Sequence, residues 1–197
     1  MTSTSGILAK VFPKFDLRWK QFIAYLTPTP SPSGQVVSLI PIPLGTNISE
    51  RIGRQVRIRG IYFTLSYGEN LNTSPCRLRF MLLIDRSPNT TITVNDVLFI
   101  NSGLTFTDGS FRFSRGRLTP IYQKFVSLGP AATNFFSSPS SVIYEEFIDL
   151  DLLVTYGPLS PFTPNSFDIV LAHGCDTNGG PNNPVMVFNY EVYYTDE

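Results

Sequence analysis

The residues best suited to chemistry in this chain are few and scattered. His173 is its single histidine. One imidazole cannot build a multi-histidine metal site, and a Ser-His-Asp relay would have to form around that one ring. Within the strand-like run "SFDIVLAHG" it reads as a structural residue. Asp149 and Asp151 share one face of an alternating segment, about 7 Å apart at the standard strand rise. Paired-carboxylate hydrolysis uses separations of this order, and a solvated strand face accounts for the two equally well. "CDTNGG" contains the D-x-N-x-G part of a calcium loop, so Asp176 and Asn178 form a weak calcium candidate. The flanking helices and terminal bidentate glutamate of a full EF-hand are missing. No phosphate- or dinucleotide-binding glycine motif lies between a strand and a helix. Beyond the calcium candidate no cofactor is implied, and the chain does not read as an enzyme.

The cations are more telling. The chain is neutral overall, with fifteen basic and fifteen acidic residues, yet every lysine and arginine lies at or before Lys124. Up to Lys124 there are fifteen basic and six acidic residues, a net of +9; from Phe125 onward there are nine acidic residues and no basic ones, a net of −9. Such a division points to a polyanion partner or a complementary self-contact. Phosphate binding needs many cations, and aromatics beside them stack unpaired bases. Lys10, Lys14, Arg18 and Lys20 are interleaved with Phe12, Phe15, Trp19 and Phe22, and Arg77 and Arg79 alternate along one strand face. These six cations are the candidate nucleic-acid contacts. "ERIGRQVRIRGIYFTLSY" concentrates Arg51, Arg54, Arg57 and Arg59 at the start of an apolar run. Any one of these arginines is explained equally well by a carboxylate on a neighbouring strand.

The elements that must position these groups are strands. Aromatics make up 13% of the 197 residues, and sixteen prolines and fourteen glycines separate short apolar runs. Aromatic and β-branched residues suit a pleated half-buried surface, and proline breaks helices. Strand-like runs are Phe15–Thr27, "QVVSLIPI" as a short edge strand, 55–67, 76–85, 120–128, 142–155, 167–174 and 185–195. In 55–67 the apolar parity changes from Val56 and Ile58 to Ile61, Phe63 and Leu65, which predicts a bulge at Gly60. In 142–155, Ile148, Leu150, Leu152 and Val154 oppose Asp149, Asp151 and Thr155. "TVNDVLF" suits a helical turn capped by Thr93 or Asn95. The segment 100–118 is a long loop with short pairing around 111–113. Cys76 and Cys175 read as buried thiols. No run approaches the about 20 apolar residues of a membrane-spanning helix, and the amino terminus does not read as a secretory signal. The count favours one all-β domain, an eight-stranded antiparallel jelly-roll β-sandwich over 15–197, preceded by an N-terminal arm at 1–14.

Three stretches carry a resemblance. "GRQVRIRGIYFTLSY", "RLRFMLLIDRSPNTTITVNDVLF" and "NYEVYYTDE", in this order, resemble the coat proteins of satellite tobacco necrosis virus and of small circular single-stranded DNA viruses. The resemblance implies a jelly roll with sheets B-I-D-G and C-H-E-F. Its copies would close into a small icosahedral T=1 shell around a genome, single-stranded DNA or RNA. The protein would be a virion component, assembled inside the host cell, with no membrane partner. It would letter the strands B near 17–26, C near 55–67, D near 76–85, E near 120–128, F near 142–155, H at 167–174 and I at 185–195, with G unassigned. On that lettering Arg57 and Arg59 lie beside strand H, with Asp168 as cross-strand partner or the acidic half of a neighbouring subunit as contact. The B-I-D-G sheet would lie nearer the interior. These viral proteins usually begin with a long basic arm; here residues 1–20 hold only four basic residues and one acidic one. Arg57, Arg59, Phe135, Phe136 and Phe162 are the expected subunit-interface residues. A jelly-roll lectin or carbohydrate-binding module is the competing reading.

Overall fold

A computed structural model describes residues 19–28, 30–68, 75–88, 91–100, 105–111, 116–129, 142–157, 163–176 and 184–197. The strands are β1 (Lys20–Leu26), β2 (Gln35–Ser38), β3 (Gln55–Tyr67), β4 (Cys76–Asp85), β5 (Leu98–Phe99), β6 (Ser110–Phe111), β7 (Leu118–Leu128), β8 (Val142–Thr155), β9 (Asp168–Cys175) and β10 (Met186–Asp196), with a single helical turn, α1 (Val94–Val97), before β5. Two four-stranded sheets run in the orders β1-β10-β3-β8 and β2-β9-β4-β7, and β5 pairs with β6. All these strand pairs are antiparallel. Lettered B to I along the chain, the eight main strands give sheets B-I-D-G and C-H-E-F, so the expected all-β jelly-roll sandwich is the fold.

The strand letters need correction. β2 is strand C, so 55–67 is D, 76–85 is E, 118–128 is F and 142–155 is the missing G. The physical cause is Pro41 and Pro43, which cut "QVVSLIPI" to four paired residues on the sheet edge. Without amide donors, prolines end a ladder. So short a strand is easily passed over when letters are assigned, and every letter up to F then slips by one.

The core lies between the sheets. Ile58, Ile61, Phe63 and Leu65 of β3 meet Leu78, Phe80 and Leu82 of β4, with Phe188, Tyr190 and Val192 of β10 completing one cluster. Phe63, Phe80, Phe188 and Tyr122 form an aromatic centre with ring centroids 5.3–5.9 Å apart. The parity change in β3 is a bulge, with register shifts at Ile58/Gly60 and Tyr193/Tyr194. A Cβ at Gly60 would lie 2.5 Å from the Phe147 ring and 2.9 Å from the Ile148 carbonyl, so the crossing requires glycine. Cys76 and Cys175 are both buried.

A second, smaller cluster lies on the far side of the β2-β9-β4-β7 sheet. Met81, Leu83, Leu118, Val170 and Ala172 project there and are covered by Val97, Leu98 and Phe106 from the excursion between β4 and β7. Thr93 caps α1 as expected: the Asp96 carboxylate accepts from the Thr93 amide at 2.8 Å and from its hydroxyl at 2.7 Å. Of the pairing expected around 111–113, Phe111 pairs with Leu98, followed by Ser110 with Phe99; 112 and 113 lie outside the described residues.

Candidate functional site

Most of the described candidate residues lie on the two outer faces of the sandwich; Lys20 and His173 instead share the core-facing parity of Phe22 and Ala24 and of Ile169 and Leu171. On the β1-β10-β3-β8 sheet, cross-strand rows are fixed by register. One row is Gln21, Tyr193, Gly60 and Asp149; the next is Ile23, Glu191, Tyr62 and Phe147; the third is Tyr25, Asn189, Thr64 and Glu145. Ile23 and Tyr25 are 62% and 72% exposed, and Ile143 beyond them 70%. A cleft of about 290 Å³ opens between Tyr62, Phe147, Glu145 and Glu146. No lysine or arginine stands in these three rows.

The arginines sit at one end of the same face. Arg57 Nε donates to Glu197 Oε1 at 2.9 Å and its Nη1 to Asp151 Oδ1 at 3.2 Å; Arg59 Nη1 reaches the same Asp151 oxygen at 3.3 Å. These hydrogen bonds hold the Arg57 guanidinium above its ordinary pKa. The expected partner, Asp168, is elsewhere. Arg57 and Arg59 lie on strand D between I and G, not on C beside H, so their carboxylates come from Glu197, just past β10, and from Asp151 of β8. Asp151 is thereby engaged by two cations.

Asp168 begins β9 in the other sheet. It accepts from Ser38 Oγ at 2.9 Å, and burial raises its pKa to about 7. Its register partner is Asp85, which is only 1% exposed and takes a bidentate pair from Arg117, Nε to Oδ1 and Nη2 to Oδ2, each 2.8 Å. The Asp85–Arg117 pair has only one signal in the sequence, an aspartate closing an apolar run. Arg51, one of the clustered arginines, is buried: it donates to the Ile42 and Gly53 carbonyls and lies 4.1 Å over the Tyr156 ring. That arginine ties down the loop whose tip exposes Leu44, Ile48 and Ile52.

Of the expected nucleic-acid contacts, Lys10, Lys14 and Arg18 lie outside the described residues. Lys20 Nζ is 2.7 Å from Asp196 Oδ2 and 3.0 Å from the Glu50 carbonyl. Arg77 and Arg79 are on strand E, in the C-H-E-F sheet, and face its outer side. Arg77 is largely exposed, 3.8 Å from Asp108. Arg79 is only 4% exposed; it donates to the Phe106 and Gly109 carbonyls and to Gln123, and stacks 5.0 Å over Phe125. Alternation gave the two one face, but residues 105–111 lie over Arg79 and leave Arg77 in solvent. Phe135, Phe136 and Phe162 lie outside the described residues, as does Asn178. Asp176 accepts from the Arg77 amide at 2.9 Å, and among the described residues no three acidic, histidine or cysteine side chains gather as a metal site. His173 is fully buried, and burial lowers its pKa to about 4, so the ring is neutral at physiological pH.

No protein-family model matches the sequence, and no curated protein does. Among solved structures, one similar chain is from Desmodium yellow mottle tymovirus, with 9% identity over 90% of this chain and 87% of that one, at a TM-score of 0.38. Another is from the T13 IBDV viral particle, with 11% identity over 90% of this chain and 35% of that one, at a TM-score of 0.23.

Proposed function

We propose that this chain is a structural coat subunit, without catalytic activity, whose copies close into a small icosahedral T=1 shell around a single-stranded nucleic-acid genome. The reading takes 15–197 as the shell-forming domain and 1–14 as an arm. It makes the protein a virion component assembled in the host cell. The observation that carries it is the B-I-D-G/C-H-E-F order of strands in a sandwich that leaves large apolar side chains uncovered on one sheet. A fold by itself hosts many functions, so the exposed residues matter. Ile23, Tyr25 and Ile143, with Leu44, Ile48 and Ile52 at the loop tip, are costly on an isolated subunit and useful when every copy buries the same patches. Phe135, Phe136 and Phe162 belong to the same proposal as anchors. Arg57 and Arg59, already paired within the chain, would supply a polar rim. Genome contact would fall to Lys10, Lys14, Arg18, Lys20 and Arg77, which favours DNA or RNA equally by its phosphate chemistry.

Electron microscopy of the purified protein, with its absorbance ratio at 260 and 280 nm, tests this. Uniform closed particles carrying nucleic acid are expected. A 22.0 kDa monomer that persists across salt and pH would overturn the reading.

A further inference from the structure

We propose that the tip of the loop between β2 and β3 seats in a cleft on the roof of a second copy of this chain, a head-to-tail contact. The inference rests on the coat-subunit reading and names a contact which that reading leaves open. The tip exposes Leu44, Ile48 and Ile52 at 56, 76 and 62%. From Leu39 to Ser49 the chain has no ionisable residue. The loop is closed upon itself. Gly45 N donates to the Arg51 carbonyl at 3.0 Å, Arg51 N to that of Pro43 at 2.9 Å and Glu50 N to that of Asn47 at 3.0 Å. The Glu50 carboxylate accepts from the Asn47 amide at 2.9 Å and packs so closely over Gly45 that a Cβ would not fit there. The Ile52 amide donates to Asp196 at 3.0 Å, and Arg51 anchors the base of the loop over Tyr156. Amides already paired within a loop cost little to take out of water, and the aliphatic groups gain by it. A loop held in one shape also loses little freedom on binding.

The cleft has the matching character. It measures about 570 Å³ and is lined by Pro32, Ser33, Thr93, Val94, Asn95 and Ile100, none of them ionisable. Ser33, Thr93 and Asn95 are exposed at its mouth. A void of about 150 Å³ holds one small apolar group, so this cleft has room for the aliphatic tip. Neither the tip nor the lining offers a cation to phosphate, so the genome is not the occupant. Pro32 and Ser33 precede β2 and the loop follows it. Tip and cleft therefore lie off opposite ends of that strand, and the tip does not reach its own cleft. A second copy can fill it while leaving its own cleft for the next. Such a contact is heterologous, and its repetition closes a ring when the rotation between copies divides a full turn. The tip alone falls short of the about 1,000 Å² of a stable interface, so it acts as an anchor within a wider contact.

Cysteine cross-linking of the full chain tests it. The native Cys76 and Cys175 are buried, and Ile48 and Asn95 are exposed. Copies carrying Ile48→Cys are assembled with nitrogen-15-labelled copies carrying Asn95→Cys and oxidised with copper phenanthroline. A disulfide joining the two positions, between one light and one heavy chain, should form well above the self-links of either variant alone. A carboxylate pressed into an uncharged cleft is costly, so Ile48→Asp should lower the yield of closed particles about tenfold or more. Hydrogen exchange of the wild-type protein, dispersed against assembled, decides even if a variant does not fold: protection should rise together in 44–52 and 93–100. The proposal is overturned if particles form while Ile48→Cys links mainly to itself or to nothing, if Ile48→Asp leaves their yield unchanged, or if the two segments gain no protection. Particles with any of these results leave the coat-subunit reading standing and remove only this inference. A persistent monomer without the link removes both.

Discussion

The two sheets of this sandwich draw on similar strands but meet solvent differently. Every residue of β9 is buried, and β4 is buried at eight of its ten positions. In β8 exposed and sheltered side chains alternate along most of its length. Both sheets turn one face to the common core. The C-H-E-F sheet has its other face roofed by α1, β5, β6 and Phe106, so its central strands read as continuous apolar runs. The B-I-D-G sheet has no such roof among the described residues, and its outer face carries carboxylates mixed with Ile23, Tyr25 and Ile143. A jelly-roll strand's sequence thus reports how many of its sides are covered.

The comparison breaks most sharply at Phe106. Its ring fills a notch in which a Cβ at Gly34 would come within 2.2 Å and one at Gly174 within 2.6 Å. Phe106→Ala should open the roof and cost about 3–5 kcal/mol, read as a lowered urea midpoint with an unchanged slope. A change on the open face should not approach this.

A smaller effect separates two titrating groups of the roofed sheet. Asp168 is raised to about 7 by burial, above its unfolded value, so the native state holds a proton that the unfolded chain has released. Its stabilising contribution is full below about pH 4 and is lost as pH rises through about 7. His173, lowered to about 4 by burial, acts in the opposite sense: between about pH 4 and 6.5 the unfolded chain binds the extra proton, so stability rises with pH. Asp168→Asn should remove the falling contribution and leave stability rising across that interval. Urea unfolding at a series of pH values measures it; an unchanged pH profile would show that Asp168 is already ionised in the folded protein.

The smallest effect on the folded chain belongs to the open face. Ile23→Ser with Tyr25→Ser should change monomer stability by no more than about 0.5 kcal/mol per site, yet lower the yield of closed particles. Equal particle yields would take these two residues out of the contact surface.

Much of the architecture was legible. Alternation in 142–155, the parity change at Gly60 and the Thr93 cap all follow from local rules, because side-chain period and turn chemistry are set within a few residues. The candidate site was less so. Arg57 and Arg59 were readable as outward-facing cations, but their partner Asp151 depended on which strand lies alongside. Arg77 and Arg79 looked alike in sequence and differ only because a segment about thirty residues further on lies over one of them.

The sequence by itself determined the all-β class, which residues of each strand share a face, and the division of charge before and after Lys124. The tertiary structure alone decided that "QVVS" counts as a strand, that β3 lies between β10 and β8, that Asp168 faces Asp85 and not an arginine, and that one sheet is roofed. Strand faces follow from a local two-residue period; strand neighbours follow from hydrogen bonds and apolar burial between segments distant in the chain, and no local pattern encodes those.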